Sequence, residues 1–488
     1  MAITTHDGMT TEALARGLPD LLQRGGRAEI VHVCALLIAR DAPMGRQWKA
    51  ISEVLAYEGE HRLALKAMEK FTAAADEAPA AQLQQIFALQ RAGQIEQAAA
   101  RFQSLPPDFP SEADHAYILG TLYSLLGEID AARETLERAI TLAPQSGAAW
   151  LAYAMVADPG NESAFEKISR ADPRNSGHQV QQPASYFSGL GKVLADRGAH
   201  DAAYEAFAAS AQLCAGQQIY DHQRQCELAE EVLSGFSPEA MEEIADGVTI
   251  ATSRPIFVTG NPRSGTTLVE QILTAHDSVY AGAELDVMRI VGREIGTPSE
   301  SNVRHYLRAN GPESLSRLYL HLLDQRFEGS GRIVDKRLVA SRTLGVIASI
   351  LPDAPLIWMR RNPLDCAWSC FRTHFANPMP WSNRFDTIAQ HFALEDRMLQ
   401  AWSERLGSRL LIVQYGDLVD QPDSTIATIL NHCGLDPQPQ VFTPETNRRA
   451  VTTSSVMQVR KPINRSGIGV SEPYLNYMSD FVEAYSAV

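Results

Sequence analysis

The sequence predicts two fold classes in one chain: an N-terminal all-α array of helical repeats and a C-terminal α/β domain with a parallel sheet. Three observations support this prediction. Small and large residues repeat every 34 positions in the first half, short apolar runs alternate with helical stretches in the second half, and a glycine-containing loop joins the first such run to a helix. We expect the helical array to span 11–217, a helix and linker 218–254, and the α/β domain 255–488.

Length and composition exclude several classes of protein. The 488 residues exceed one ordinary domain, and a hydrophobic content of 45% is sufficient for large cores. The formal net charge of −15 argues against a general nucleic-acid binder, because such proteins need a basic surface to replace phosphate counterions. The six cysteines show neither a Cys-x-x-Cys pair nor zinc-ligand spacing. No targeting segment or long apolar run is evident, so we expect a soluble cytoplasmic protein.

An internal repeat organises the first half of the chain. Glycines, alanines and large apolar residues each recur at the same spacing. The recurring positions are Gly59, Gly93 and Gly127; Ala64, Ala98 and Ala132; and Met68, Phe102 and Leu136. This pattern resembles the tetratricopeptide repeat, which implies five or six helical hairpins in a superhelix that binds peptides or partner proteins in its concave groove. A helical bundle with accidental spacing is the alternative.

Short apolar runs bounded by turn residues mark the strands of the second half. They are Ile256 to Val258, Ile333 and Val334, Leu356 to Met359, and Leu410 to Val413. Helical stretches separate these runs along the chain. This alternation is typical of a parallel sheet covered on both faces, which binds its ligands at the carboxyl ends of the strands.

The loop after the first strand has the composition of a phosphate-binding site. Its candidate ligands are Arg263, Ser264, Gly265, Thr266 and Thr267. The segment matches G-x-x-x-x-G-K-[ST] except that Thr266 stands in the place of the lysine. That lysine bridges the β and γ phosphates of a triphosphate, so its absence disfavours a P-loop kinase. Amides, hydroxyls and the guanidinium of Arg263 instead suit a 5′-phosphate joined to a second anionic group. A generic anion-binding turn is the alternative.

A second candidate anion site follows the strand that ends near Met359. Arg361 stands just beyond the strand, and Ser369 follows about two helical turns later, so both can reach one phosphate at the mouth of the sheet. Pro363 sets the turn between strand and helix. The simplest expectation for the neighbouring Arg360 is that its side chain faces solvent.

Together these two segments resemble a known family. The stretches 262–268 (PRSGTTL) and 361–369 (RNPLDCAWS) resemble the two signatures of sulfotransferases that use 3′-phosphoadenosine 5′-phosphosulfate, and they occur in the same order. The first corresponds to the 5′-phosphosulfate loop and the second to the 3′-phosphate site. The resemblance covers about 255–470 and is strongest to the protein-tyrosine sulfotransferases. It implies a P-loop-like α/β fold and chemistry without a metal.

The resemblance also implies further nucleotide ligands. Tyr415 matches a tyrosine that contacts the nucleotide in the family. Lys461 lies in a lysine-proline segment similar to the one that closes over the cofactor, and Arg460 is a second candidate there. An arginine that the family carries after the serine of the second signature is replaced by Thr373, with Arg372 adjacent.

One family position on the acceptor side has no clear match. A catalytic serine is expected somewhat before the lysine-proline segment, where a gapless alignment places Arg448 or Ala450. Ser454 or Ser455 could supply the hydroxyl if the loop shifts. The acceptor side is therefore less well matched than the nucleotide side.

Sulfuryl transfer requires a base for the acceptor hydroxyl and a cation for the transferred group. By the resemblance, Glu284 matches the glutamate that acts as the general base, and Lys336 matches the lysine that stabilises the transferring sulfonate. The alternatives are a helix N-terminal acid for Glu284 and a solvent-facing lysine for Lys336. Asp335 is expected to orient that lysine or to cap the next helix.

The sequence therefore predicts a sulfotransferase that takes 3′-phosphoadenosine 5′-phosphosulfate as co-substrate and modifies an acceptor hydroxyl. A tyrosine of a peptide or protein is the first candidate, because the repeat array can hold such a partner. Two alternatives stay open: a glycan or small-molecule sulfotransferase whose repeats serve oligomerisation, and a nucleotide-binding scaffold that has lost catalysis. No nucleic acid, membrane or metal is expected, and a homo-oligomer is compatible with this reading.

Overall fold

The computed structural model describes most of the chain. The described residues are 6–176, 179–216, 218–338, 340–447, 449 and 459–486. Among them, no helix is both long and apolar enough to cross a membrane. All six cysteines lie in these ranges and are free thiols.

The regular elements of the first part of the chain are helices, in the residues that the structure describes there. They are α1 Thr11–Arg24, α2 Arg27–Ala39, α3 Trp48–Tyr57, α4 His61–Ala74, α5 Pro79–Arg91, α6 Ile95–Gln103, α7 Glu112–Leu126, α8 Ile129–Leu142, α9 Gly147–Val156, α10 Glu162–Arg170, α11 Pro173–Ser176, α12 Pro183–Asp196 and α13 His200–Ala215. Gly59, Gly93 and Gly127 follow the ends of α3, α5 and α7 with φ of 81°, 82° and 81°. Glycine adopts this left-handed conformation without a Cβ penalty. The predicted helical repeat is confirmed.

Strands and helices alternate in the second part of the chain. The elements are α14 His222–Gly235, α15 Pro238–Ala245, β1 Pro255–Gly260, α16 Thr266–Thr274, β2 Val279–Ala281, α17 Val287–Ile295, α18 Glu300–Asn310, α19 Ser314–Asp324, β3 Arg332–Lys336, α20 Leu344–Ile350, β4 Leu356–Arg360, α21 Pro363–Phe371, α22 Phe385–Leu406, β5 Leu410–Gln414, α23 Tyr415–Asp420, α24 Pro422–Cys433 and α25 Ser479–Ser486. Each of the four predicted strands is present. No sequence pattern predicted β2, because three residues are too few to show a periodicity.

One parallel sheet carries the strands in the order β2-β3-β1-β4-β5. The central strand β1 pairs with β3 on one side and β4 on the other, and Val258 lies opposite Lys336. Because parallel strands end at the same edge, the loop after β1, the end of β3 and the start of α21 converge there. The predicted α/β fold is confirmed. Among the predicted site residues, 263–267, Lys336, Arg361 and Ser369 lie in or next to these three segments.

The chain forms two compact units, and the first contains the described residues of Met1–Pro110 with Asp286–Thr297 and His305–Gly329. Helices inserted between β2 and β3 thus pack against the N-terminal repeats. An ion pair and a histidine–carboxylate hydrogen bond join them: Arg293 Nη2 lies 2.7 Å from Glu58 Oε2, and His321 Nε2 lies 2.8 Å from Glu60 Oε1.

The second unit contains the described residues of Ser111–Leu285, Pro298–Arg304 and Ser330–Val488. Its repeat helices share one apolar core with α21, α22 and α25. Phe207 of α13 meets Trp368 of α21 edge to face, with ring centroids 5.8 Å apart. Tyr204 stacks on Tyr477 at 3.8 Å. The last repeats are therefore packed into the same core as the helix that follows β4.

Candidate active site

The loop between β1 and α16 brings backbone amides to the edge of the sheet. Gly265 has φ of 109°, and a Cβ there would lie 2.7 Å from the ring of Tyr415, so only glycine fits. Helix α16 starts at Thr266, and the amide of Leu268 already donates backward to the Gly265 carbonyl at 2.9 Å. The amides before Leu268 and the positive end of the helix dipole favour an anion at this point.

A cavity opens beside this loop. Eight of the predicted nucleotide ligands line it: Arg263, Gly265, Thr266, Thr267, Arg361, Ser369, Tyr415 and Lys461. They come from the loop, from the region between β4 and the end of α21, from the start of α23 and from the stretch 459–472, here called the closing segment. Residues nearly 200 positions apart in sequence therefore meet at one cavity.

Three half-buried arginines, Arg263, Arg361 and Arg372, line the cavity. Burial and the nearby charge of Arg361 hold the pKa of Arg263 below its usual value. Burial, together with Arg263 and Arg361, lowers the pKa of Arg372 to about 10. Like charges gathered around one cavity, lowering the pKa values of Arg263 and Arg372, indicate that the site is built to receive an anion.

Arg372, rather than Thr373, reaches the cavity. The hydroxyl of Thr373 instead donates to the Ser369 carbonyl at 2.7 Å. Helix α21 ends at Phe371 and Arg372 is its C-cap residue, so helical spacing from Ser369 does not set the direction of its side chain. The adjacent arginine was the only sequence signal for this position.

Arg361 joins two walls of the cavity. Its Nη1 donates to the Arg263 carbonyl at 2.8 Å, and its Nη2 donates to the Gly467 carbonyl. Its guanidinium carbon lies 5.2 Å from the ring centroid of Tyr415. One side chain therefore fixes the phosphate loop and the closing segment around the cavity.

Asp365 holds the closing segment in place by three hydrogen bonds. Its Oδ2 accepts from the Gly469 amide at 2.9 Å, and its Oδ1 accepts from the amide and the hydroxyl of Ser471 at 3.0 and 2.8 Å. The carboxylate is buried at the start of α21, the helix that also carries Ser369. The segment over the cavity is thereby tied to the second signature.

Lys336 ends β3 and is only 1% exposed. Its Nζ lies 3.1 Å from Glu270 Oε2 and 3.4 Å from Thr267 Oγ1. The alternative of a solvent-facing lysine is therefore wrong. The ammonium group of Lys336 is therefore held in a buried place beside one carboxylate and one hydroxyl.

Glu284 follows β2 and precedes α17, whose N-cap residue is Asp286. Glu284 thus lies before the helix, and the alternative of a helix-capping acid is wrong. Partial burial of its carboxyl raises the pKa of Glu284, Lys336 opposes this and Glu270 adds to it. A raised pKa makes the carboxylate a stronger base.

Comparison with known proteins finds two matching family models. Residues 255–439 match the model of the sulfotransferase family, and residues 113–156 match a tetratricopeptide repeat. The chain carries a sulfotransferase-family domain. The segments 262–268 and 361–369, which both contribute to the cavity, lie inside the matched range.

Two curated proteins resemble parts of the chain. An uncharacterised protein of Aquifex aeolicus is 26% identical over 391 residues, covering 77% of this chain and 50% of that protein. Nodulation protein NoeE of Sinorhizobium fredii is 28% identical over 214 residues, covering 38% of this chain and 51% of that protein. The chain spans about half the length of the curated relatives it matches.

Solved structures also resemble it. The sulfotransferase domain of the Synechococcus PCC 7002 olefin synthase is 19% identical, with a TM-score of 0.36, and the match covers 49% of this chain and 96% of that one. Retinol dehydratase in complex with androsterone and inactive cofactor PAP is 16% identical, with a TM-score of 0.28, over 54% of this chain and 92% of that one.

Two predicted ligands of the sulfotransferase domain lie away from the cavity. The Ser264 hydroxyl is buried behind the loop, close to Gly260, and has no hydrogen-bond partner among the described residues. Arg460 donates to the carbonyls of Asn447 and Arg449, each at 2.9 Å, and to that of Leu126 at 3.4 Å. The structure therefore does not place these two side chains in the cavity that the other eight predicted ligands line.

The expected catalytic serine falls in a part of the chain that the structure leaves undescribed. Its candidate positions, Arg448, Ala450, Ser454 and Ser455, lie outside the described residues. Glu270, by contrast, is a described residue that no sequence pattern singled out. It stands three positions after Thr267, on the same face of α16, which is the one available signal.

Replacing Asp365 by alanine is expected to loosen the closing segment of the sulfotransferase domain. Two amides and a hydroxyl lose their acceptor, which costs about 1–3 kcal/mol of folding stability for buried donors left unpaired. Adenosine 3′,5′-bisphosphate is expected to bind more weakly, because Gly467 and Arg361 lose their support. Urea unfolding and calorimetry measure the two effects. Glu472→Gln, at an exposed acid of the same segment, serves as control, and equal behaviour of the two variants would contradict this role.

Proposed function

We propose that this protein transfers a sulfuryl group from 3′-phosphoadenosine 5′-phosphosulfate to an acceptor hydroxyl. The observation that carries the proposal is the single cavity lined by eight residues from both signature segments, Tyr415 and Lys461. The sulfotransferase-family match at 255–439 contains all of these residues except Lys461. The activity of the whole protein, its acceptor and its partners belong to this proposal.

The charges around the cavity suit a nucleotide with anionic groups at two positions. The amides at the start of α16 and Arg263 would hold the 5′-phosphosulfate, while Arg361, Arg372 and Ser369 would hold the 3′-phosphate. Tyr415 and Lys461 would contact the rest of the nucleotide. In a chain of net charge −15, this local excess of arginine makes an anion the fitting ligand.

The chemistry would use Glu284 and Lys336. Glu284 would accept the proton of the acceptor hydroxyl as that oxygen forms a bond to sulfur. The bond between sulfur and the 5′-phosphate oxygen breaks, and adenosine 3′,5′-bisphosphate leaves. The ammonium of Lys336, held beside Thr267, would stabilise the negative charge that develops during this exchange. The donor supplies the activated sulfuryl group, and no residue needs to bind it covalently.

Replacing Glu284 by glutamine is expected to lower turnover about 100- to 10,000-fold, the usual range for loss of a general base. Affinity for adenosine 3′,5′-bisphosphate is expected to stay the same. In the wild-type protein the base must be deprotonated, so turnover should fall as pH drops through the pKa of Glu284, which lies above its ordinary value. A pH profile of kcat measures this fall at low pH, which is the acid limb of the profile. Asp286→Asn is the control, and full activity of Glu284→Gln would refute the assignment.

We further propose that the repeats bring a peptide or protein acceptor to the domain, with tyrosine as the first candidate side chain. A second cavity of about 430 Å³ supports this. Repeat residues of α9 and α12, among them Met155 and Lys192, line it together with Arg263, Arg372 and Lys461 of the sulfotransferase domain. A segment held by these repeats would therefore lie next to the nucleotide cavity.

Binding and turnover test the proposal in order. Calorimetry should show that adenosine 3′,5′-bisphosphate binds far more tightly than adenosine, and equal affinities would overturn the proposal. Radiolabelled donor with a peptide library and a glycan panel then identifies the acceptor. Label on tyrosine supports the first candidate, label on a glycan replaces it, and no release of bisphosphate above background indicates a scaffold. A cytoplasmic location stays a prediction.

A further inference from the structure

Glu270 occupies a buried position in contact with the Lys336 side chain and with the backbone just before Glu284. It lies on α16, one helical turn after Thr267, and is only 6% exposed. Its Oε2 lies 3.1 Å from the ammonium nitrogen of Lys336. An ion pair in such a buried place is held only when its geometry is good, and this pair gains a further partner from Thr267 Oγ1, 3.4 Å from the same nitrogen.

The second oxygen of the same carboxylate holds the backbone before Glu284. Glu270 Oε1 accepts a hydrogen bond of 2.8 Å from the Ala283 amide. Ala283 has φ of 55°, a left-handed conformation that is uncommon for alanine, and its carbonyl accepts from the Lys336 amide at 3.0 Å. The peptide from which Glu284 extends is therefore fastened on both sides, once by Glu270 and once by β3.

We propose that Glu270 is a positioning residue of the transfer reaction, which orients the ammonium group of Lys336 and fixes the backbone that presents Glu284. This role rests on the sulfotransfer proposed above for the same site. Glu270 touches neither acceptor nor donor in this role. It links α16, β3 and the segment after β2, so that base and cation keep one geometry.

Charge gives this role a signature that packing alone would not have. Among the described residues, the charged groups that act on the Glu284 carboxyl are Lys336 from β3 and Glu270 from α16, and they act in opposite directions. Neutralising Glu270 leaves Lys336 as the charged neighbour that acts on Glu284. The Glu284 carboxyl should then lose its proton at a lower pH than in the wild-type protein.

Glu270→Gln tests the inference, because glutamine keeps the size and an acceptor for the Ala283 amide but removes the charge. We expect turnover at saturating donor to fall about 10- to 100-fold, in line with loss of alignment at a reacting centre. The acid limb of kcat should move to lower pH, and affinity for adenosine 3′,5′-bisphosphate should stay within about twofold of wild type. Glu270→Asp keeps the charge but shortens the reach, so its turnover should fall while its acid limb stays in place.

A spectroscopic titration separates this inference from the proposed function. Carbon-13 label in the glutamate carboxyls reports the pKa of Glu284, whose signal is assigned by its loss in Glu284→Gln. A lower pKa of Glu284 in Glu270→Gln supports the inference, whether or not the wild-type protein transfers a sulfuryl group. Absence of sulfotransfer by the wild-type protein would refute the proposed function but not this inference. An unchanged pKa and unchanged turnover would overturn it. Glu395→Gln, a buried carboxylate paired with Arg342 at 2.7 Å, is the matched control and should leave the acid limb in place.

Discussion

Replacing Lys336 by methionine is expected to lower sulfuryl-transfer turnover about 100- to 1,000-fold, the usual loss when one electrostatic donor to a transition state is removed. It is also expected to destabilise the fold by about 3–5 kcal/mol, because Glu270 would keep its charge in a buried place without its cation. Methionine has a similar length and fills the same space. Steady-state turnover and urea unfolding measure the two effects separately.

The double variant Lys336→Met/Glu270→Gln separates stability from chemistry. Removing both charges should recover most of the lost folding free energy, since no charge then stays buried alone. Turnover should not recover, because the cation near the transferred group is still missing. Lys336→Met with wild-type turnover would contradict the catalytic role, and a double variant as unstable as the single one would contradict the ion pair with Glu270.

Replacing Arg361 by alanine is expected to weaken the binding of adenosine 3′,5′-bisphosphate about 10- to 150-fold, the range for hydrogen bonds to charged groups. The guanidinium is also lost as the link between the Arg263 and Gly467 carbonyls, so both walls of the cavity lose support. Adenosine 5′-phosphate lacks the 3′ group, and its affinity should change much less. Calorimetry with both nucleotides shows how much of the affinity lost in Arg361→Ala depends on the 3′-phosphate.

Arg360→Ala is the matched control for this measurement. Arg360 is the adjacent arginine, but its Nη2 lies 2.6 Å from Asp396 Oδ1 and it does not line the nucleotide cavity. Its replacement should leave the affinity for adenosine 3′,5′-bisphosphate within about twofold of wild type. Equal losses in the two variants would mean that general positive charge, and not the place of Arg361, governs binding.

Features that depend on local pattern were predictable from the sequence. The 34-residue period was visible because each helical hairpin repeats a glycine with positive φ at its turn and a buried alanine in its second helix, as Gly127 and Ala132 illustrate. The strands around Val258 and Ile357 were visible because buried parallel strands are continuously apolar. Both phosphate signatures are contiguous stretches of chain. The boundaries 11–217 and 255–488 stay predictions.

Features that depend on side-chain direction were not predictable. Arg372 follows the end of its helix, where helical spacing no longer sets which way a side chain points, so only the structure places it in the cavity. Arg460 was matched to a nucleotide-binding segment, yet its guanidinium donates to backbone carbonyls elsewhere. A sequence match assigns a position in the chain, and a rotamer decides what that position contacts.

The sequence by itself determined the order of the two fold classes and the two segments that meet at the nucleotide cavity, because both rest on periodicity and contiguous loops. Only the tertiary structure decided that Lys336 is buried against Glu270, and that the last repeats pack into the same core as α21. Such contacts join residues far apart along the chain. Their geometry follows from how strands and helices pack, which no local pattern encodes.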